Sequence, residues 1–235
     1  MSVPRRTIGF IVFAIAVSLA CLRLGVWQLA RLKERRAYNA GIAARLLAPV
    51  APFSSLGGLP DSLRYRRTVL TGRFDYSQEL LLAGRARGGS PGVFLLTPMR
   101  QSSTDTAVLV LRGWVYAPDG KTIDLSQWHE GDSVTVSGFV QTYTKATGTV
   151  TVPSAPRGLR FDDRDSLASR LPYPIAEVLV TQTSDSAQRQ DHPARLKLPA
   201  LDDGPHQSYA IQWFSFALIA WIGIGAVLRK ARTSS

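Results

Sequence analysis

Cysteine is all but missing from this chain. Its one thiol, Cys21, sits inside an apolar run, so no disulfide, thiol nucleophile or thiolate metal site is available to the rest of the molecule. The remainder must be stable through an apolar core, for which the roughly 175 residues between the two apolar ends suffice. Histidine is scarce as well. Among His129, His192 and His206, none has a second His or Cys at ligand spacing, which leaves a zinc site unsupported. There is no Gly-x-Ser-x-Gly elbow, no Gly-x-x-x-x-Gly-Lys phosphate loop and no visible nucleophile–base pair, so no enzyme activity is expected. No internal repeat or low-complexity tract occurs. Acidic residues are absent before Glu34 and after Asp203, and all 17 lie between these two positions.

Two apolar stretches are present instead, one near each end. Thr7–Leu22 is uncharged and continues past Arg23 through Leu24-Gly25-Val26-Trp27, while Gln207–Leu228 runs for 22 residues without a charge. A helix needs roughly 20 such residues to cross a hydrocarbon core about 30 Å thick. The expectation is a membrane protein of α+β class. Two transmembrane helices, 8–28 and 207–228, flank one β-rich extracytoplasmic domain over 29–206, with short cytoplasmic ends at 1–7 and 229–235. Arg5 and Arg6 before the first span, and Arg229, Lys230 and Arg232 after the second, favour termini inside by the positive-inside rule. The cluster Arg31, Lys33, Arg35 and Arg36, just beyond the first span, opposes that assignment. Arg5-Arg6 followed by an apolar run also fits a secretory signal, and Ser18-Leu19-Ala20-Cys21 resembles a poor lipoprotein cleavage site. The apolar character carries on past Cys21, so a retained anchor in a bacterial plasma membrane is expected.

The net charge of +11 is unevenly spread. Arg31–Arg112 holds 13 basic and 5 acidic residues, whereas Gly113–His206 holds 9 and 12. A basic half beside a span suits lipid headgroups or an anionic ligand. Nucleic acid is not expected as a partner, because no basic–aromatic recognition module is present. Leu29–Ala48 keeps a helical pattern weakened at Gly41, and Pro49–Pro60 reads as a linker. Arg67–Phe74, Glu79–Ala83, Val93–Thr97, Thr106–Tyr116, Ser133–Tyr143 and Thr149–Val152 then read as strands, bounded by Gly, Pro, Asp and Ser. Asp162–Leu171 reads as a short helix and Ile175–Thr181 as a last strand. Ser184–Asp203 is a polar return. Antiparallel pairing is expected, closed or folded over into a small barrel.

His129 and His192 stand in polar loops and read as solvated. His206 differs, because it stands at the mouth of the second span. If the helix begins there, Tyr209, Ala210 and Trp213 share its face. An imidazole with aromatics one and two turns deeper suits a flat apolar cofactor with a polar edge, and haem is the obvious example. The same residues also fit an ordinary interfacial belt. On the first span Leu24, Trp27 or Gln28, and Arg31 share a face. Arg31, Lys33 and Arg35 suit either haem propionates or lipid phosphates. In Arg112-Gly113-Trp114 a strand glycine marks a bulge or a close backbone approach, so the trio reads as structural.

Four of these segments resemble, in order, the Surfeit locus protein 1 family of cytochrome c oxidase assembly factors. They are Leu24-Gly25-Val26-Trp27-Gln28-Leu29-Ala30-Arg31, Tyr65-Arg66-Arg67-Thr68-Val69-Leu70-Thr71-Gly72-Arg73-Phe74, the pair Pro91–Pro98 and Val108–Val115, and His206–Ala217 with its His-x-x-Tyr-Ala-x-x-Trp-Phe element. Leu111 departs from an Asn that usually precedes Arg-Gly-Trp, and Gly204-Pro205 replaces an Asn-rich lead into the His. The resemblance implies an assembly factor for an aa3-type oxidase that helps haem a reach subunit I, without turnover of its own. It implies haem a as a transient cofactor, His206 as ligand to the haem iron, and Tyr209, Trp213, Trp27, Gln28 and Arg31 around it. Implied partners are cytochrome c oxidase subunit I, haem A synthase and the bilayer. The competing expectation is a haem-independent membrane scaffold for an oxidase intermediate, with Ala16, Ala20, Gly223 and Gly225 permitting close helix packing.

Overall fold

A computed structural model describes residues 5–131, 133–152, 155–183 and 192–233. The chain divides into two units. One comprises residues up to Ala43 together with those from Ala200 onward; the other is Ala44–Pro199.

In the helical unit, α1 (Arg5–Leu47) is a single helix of 43 residues. The two expected pieces, 8–28 and Leu29–Ala48, are thus continuous, and Gly41 does not break them. One exposed glycine costs a helix only about 1 kcal/mol, which the flanking turns offset. At about 1.5 Å per residue, α1 is roughly twice as long as a hydrocarbon core is thick. The last helix, labelled α4 below, runs His206–Thr233. Both helices are long and apolar enough to cross a membrane by length and composition. They pack through a narrow seam. Facing each other are buried Ala14, Ser18, Cys21, Gly25 and Gln28 of α1 and Ala210, Ala217 and Ile224 of α4, while Leu32, Asn39 and Ile42 are buried further along α1, past the start of α4. Spacings of three and four, or of seven, are those of a coiled-coil seam. Gly25 is required by this packing, because a Cβ there would lie 2.6 Å from Phe214 Cε1.

The second unit is β-rich. Its strands are β1 (Ala51–Pro52), β2 (Arg67–Phe74), β3 (Leu80–Leu82), β4 (Gly92–Arg100), β5 (Val108–Tyr116), β6 (Ser133–Gln141), β7 (Gly158–Leu159) and β8 (Leu179–Gln182). Short helices α2 (Pro60–Leu63) and α3 (Arg164–Ala168) interrupt them. The sheet order is β1-β2-β6-β8-β5-β4-β3-β7, and a further antiparallel pairing of β2 with β4, through Arg73 with Arg100 and Phe74 with Met99, closes it. The barrel ring is therefore β2, β6, β8, β5 and β4. Leu70, Phe74, Met99, Val108, Val110, Val136 and Val180 form one buried cluster to which every ring strand contributes, so it fills the barrel. A second cluster, on alternate residues such as Leu109 and Leu111, lies on the other face and is covered by Leu159, Leu167, Leu171 and Ile175. Period-two alternation on β5 thus feeds two cores.

Several expectations are corrected. Pairing is not wholly antiparallel: β1–β2, β3–β7 and β5–β8 are parallel. Thr149–Val152 is not a strand, and only Thr151 makes an isolated bridge, to Leu159. The last strand begins at Leu179, later than Ile175, whose only bridge is to Ala107. The expected linker contains β1 and a helical turn, since Ala51 O accepts a hydrogen bond from Thr68 Oγ1 at 2.8 Å. Of the polar return, residues 184–191 lie outside the described residues.

Candidate functional site

The helical unit brings His206 and Gln28 together. His206 opens α4, and its Nδ1 lies 2.9 Å from Gln28 Oε1. With the amide oxygen facing the ring, a proton on Nδ1 completes the hydrogen bond, and in a neutral ring that tautomer leaves the Nε2 lone pair free. This is how imidazole ligands are held, one nitrogen oriented by a neighbour and the other free to bind. Gln28 is itself buried, at 9% exposure, so its side chain has little freedom to turn away. Gly204 lies against the Nε2 edge: a Cβ there would be 3.6 Å from that nitrogen, and φ of 70° favours glycine at this position.

The chain entering α4 is tied to α1 just beyond this pair. Asp202 O accepts from Arg35 Nε and Asn39 Nδ2, each at 3.0 Å, and Arg36 Nε donates to Asp203 Oδ2 at 2.8 Å. The Arg36 hydrogen bond holds the Asp203 carboxyl below the usual carboxylate range. A cleft of about 430 Å³ results, lined by Arg31, Glu34, Arg35, Tyr38, Asp202, Gly204 and His206. Arg31 donates to Glu34 at 2.6 Å with both side chains more than half exposed, and Arg35 lies 5.8 Å from the centre of the Tyr38 ring.

Of the six residues singled out in the sequence, His206 and Arg31 line this cleft and Gln28 orients His206. Trp27 lines a separate groove with Leu22, Arg23, Leu24, Val26 and Ala30. Tyr209 is 47% exposed, while Trp213 is half-buried with its ring edge-on to Phe216 at 5.9 Å. Of the face expected to carry His206, Ala210 is the residue buried in the helix seam. Sequence reasoning passed over Asn39, Tyr38 and Asp202. Only the Arg31–Glu34 spacing of three offered a signal there.

The β domain holds a different polar centre. Opposite Leu95 and Leu96 the ladder register skips Arg112, which makes it the extra residue of a bulge. Its guanidinium, fully buried, donates to Glu79 Oε1 at 2.7 Å, to Glu130 Oε1 at 2.6 Å and to Trp128 O, between the rings of Phe74 and Tyr76. Arg195 donates to Glu130 Oε2 and, at 2.7 Å, to Arg112 O. Burial alone would raise the Glu130 pKa, but the Arg195 hydrogen bond and the charges of Arg112 and Arg195 hold it below the ordinary value. Gly113 meets both expectations for a strand glycine: it adjoins the bulge, and a Cβ there would lie 2.7 Å from Ala194 O. His192 is not a solvated loop residue but stands 3.6 Å from Glu130 Oε2, while His129 is exposed and stacks on Tyr76 at 3.9 Å.

Comparison with known proteins places these features in a family. The SURF1 family model matches residues 15–218. A SURF1-like protein of Rickettsia felis is 37% identical over 106 residues, covering 44% of this chain and 43% of that protein. The cytochrome oxidase assembly protein SHY1 of Saccharomyces cerevisiae is 31% identical over 114 residues, 46% of this chain and 29% of its own. A SURF1-like protein of Rickettsia prowazekii is 27% identical over 225 residues, 90% of this chain and 85% of that protein. The match spans less than half the length of the first two relatives.

Proposed function

Because this chain belongs to the SURF1 family, we propose that it is a membrane-anchored assembly factor for an aa3-type cytochrome c oxidase. In this reading it assists the delivery or insertion of haem a into subunit I. It sits in a bacterial plasma membrane with both termini inside and the β domain outside, and it meets subunit I and haem A synthase there. The name of the yeast relative supports the assembly role.

The observation that carries the haem reading is the His206–Gln28 pair beside a cationic cleft. The donor set fits the group. His206 Nε2 would supply an imidazole nitrogen, Arg31 and Arg35 cations for its carboxylates and Tyr38 an aromatic surface within the cleft, while Trp27, Tyr209 and Trp213 stand on the same helices outside its lining. A cleft of about 430 Å³ lies within the range of small-molecule sites, about 300–1,000 Å³. Bound there, haem a would bring an iron with an open coordination position. Gln28 fixes the tautomer, and Gly204 leaves the nitrogen uncovered. The role is holding and releasing, with no bond made or broken in substrate.

The test is an absorption spectrum of the protein purified from cells that make haem a, set beside His206→Ala. Loss of the haem signal in the variant is expected, with the protein still extracted from membranes at normal yield. An unchanged signal removes His206 as ligand. A haem-independent scaffold is favoured by one observation, the engagement of Arg31 with Glu34. On that reading no haem copurifies from wild-type protein, while subunit I is still captured.

A further inference from the structure

Arg23 is the one charge inside the apolar stretch of α1. It stands five residues before Gln28, so its Cα lies about 7.5 Å along the helix from the level of the His206–Gln28 pair. From Cys21 and from Gly25 it is two residues away, about 200° around the helix. Both of those are seam residues, which turns Arg23 to the face opposite α4, where it is exposed. Leu22, Leu24, Val26, Trp27 and Ala30 join it along a groove of about 680 Å³. Neither apolar run contains an acid, and no carboxylate among the described residues pairs with it.

Such a charge is costly in hydrocarbon, and intramembrane charges normally find partners. Snorkelling to headgroups is the usual relief. Here it is hindered, because helix side chains lean toward the helix N-terminus. For α1 that direction leads away from the Gln28 level and deeper into the apolar stretch. This holds for either orientation of the helix in the membrane.

We propose that this face of α1 docks a transmembrane helix of a partner protein that carries an Asp or Glu at the depth of Arg23. The inference rests on the reading above that α1 and α4 cross a bilayer, and it adds the partner's chemistry. Charge complementarity selects the carboxylate. Trp27, 53% exposed one turn along, packs beside the pair, and the exposed small residues Ala16 and Ala20 let a helix backbone come close.

The experiment places a photo-crosslinking amino acid at Val26 in the full chain in membranes that contain the oxidase. A control places it at Ile222, on the exposed side of α4. Mass spectrometry identifies the adduct. An adduct at Val26 is expected with a peptide from an apolar stretch holding an Asp or Glu. Arg23→Leu should lower its yield about tenfold, equivalent to about 1.4 kcal/mol. Arg23→Lys, which keeps the charge, should retain most of it, and Arg23→Glu paired with a partner acid→Arg should restore it. The proposal is overturned if the Val26 adduct is unaffected by Arg23→Leu, if the peptide lacks an acid, or if only lipid is captured. Carbonate extraction separates the two levels: release of the protein from membranes sinks the spanning reading as well, whereas retention confines the failure to this docking face.

Discussion

The helical unit and the β domain handle buried polarity in opposite ways. In the β domain a full guanidinium is enclosed and met by two carboxylates, a carbonyl and two aromatic rings, with a second arginine completing the set. In the helical unit half-buried His206 meets the uncharged amide of buried Gln28, and the ion pairs stand at the rim, half in water. Removing one partner of an enclosed ion pair strands the other, while a rim charge rehydrates. The first arrangement therefore fixes a fold, whereas in the function proposed above the second is loose enough to exchange its rim partners for a ligand.

The largest expected effect tests the first half of that contrast. Arg112→Leu leaves Glu79 buried without its ion-pair partner and Glu130 with Arg195 alone, and should destabilise the β domain by about 3–5 kcal/mol. Denaturant unfolding of the full chain in detergent, followed by tryptophan fluorescence, measures it. Arg112→Leu with Glu79→Leu should be less damaging than the single change, because the stranded charge is gone as well. A single variant as stable as wild type would mean that the network is not holding the barrel.

Acid should act on the same network, with a smaller effect. The Glu130 pKa is depressed in the folded state, so its contribution is fully present above the ordinary glutamate range and is lost as pH falls below it, from roughly pH 4 downward. Glu130→Gln should flatten that part of the stability–pH curve. In the helical unit the depressed carboxyl is Asp203, paired with Arg36 at the exposed rim, so its own acid step should be smaller.

Much of the β domain was legible. Arg67–Phe74 is a strand with the bounds read from its alternation, and Ser133 and Tyr116 mark strand ends as expected. Two-residue strands such as β1 and β7 are too short to leave a period. Parallel β8 and the closing β2–β4 contact depend on residues far apart in sequence, which no local pattern reports. Arg112 was visible as a lone cation in Val108–Val115, but its acids lie 33 and 18 residues away and its second arginine 83. In the helical unit the reading picked out both His206 and Gln28 yet could not pair them, because face arithmetic works within one helix and these sit on two, 178 residues apart.

A third change tests the seam itself. Gly25→Leu forces a side chain into the space of the Phe214 ring and should cost about 1–3 kcal/mol, the usual range for overpacking. Phe214→Ala should be the better background for it, so that the double variant is more stable than the two separate losses predict. Thermal unfolding in detergent decides this, and simple additivity would place the ring elsewhere.

The smallest stability effect should carry the largest functional one, and it falls on Gln28. Gln28→Leu removes one neutral hydrogen bond, worth about 0.5–1.5 kcal/mol, and leaves His206 at the helix mouth where water can replace it. If Nε2 is the ligand atom, losing the group that orients the ring should weaken haem binding about 10–100-fold, the usual consequence of removing such a partner. Gln28→Glu should preserve the orientation by accepting the same proton. Haem titration of the three proteins, alongside their melting temperatures, separates the possibilities. A large melting shift with unchanged haem affinity would make the His206–Gln28 pair a structural element like the arginine cluster, and the contrast between the two halves of the chain would disappear.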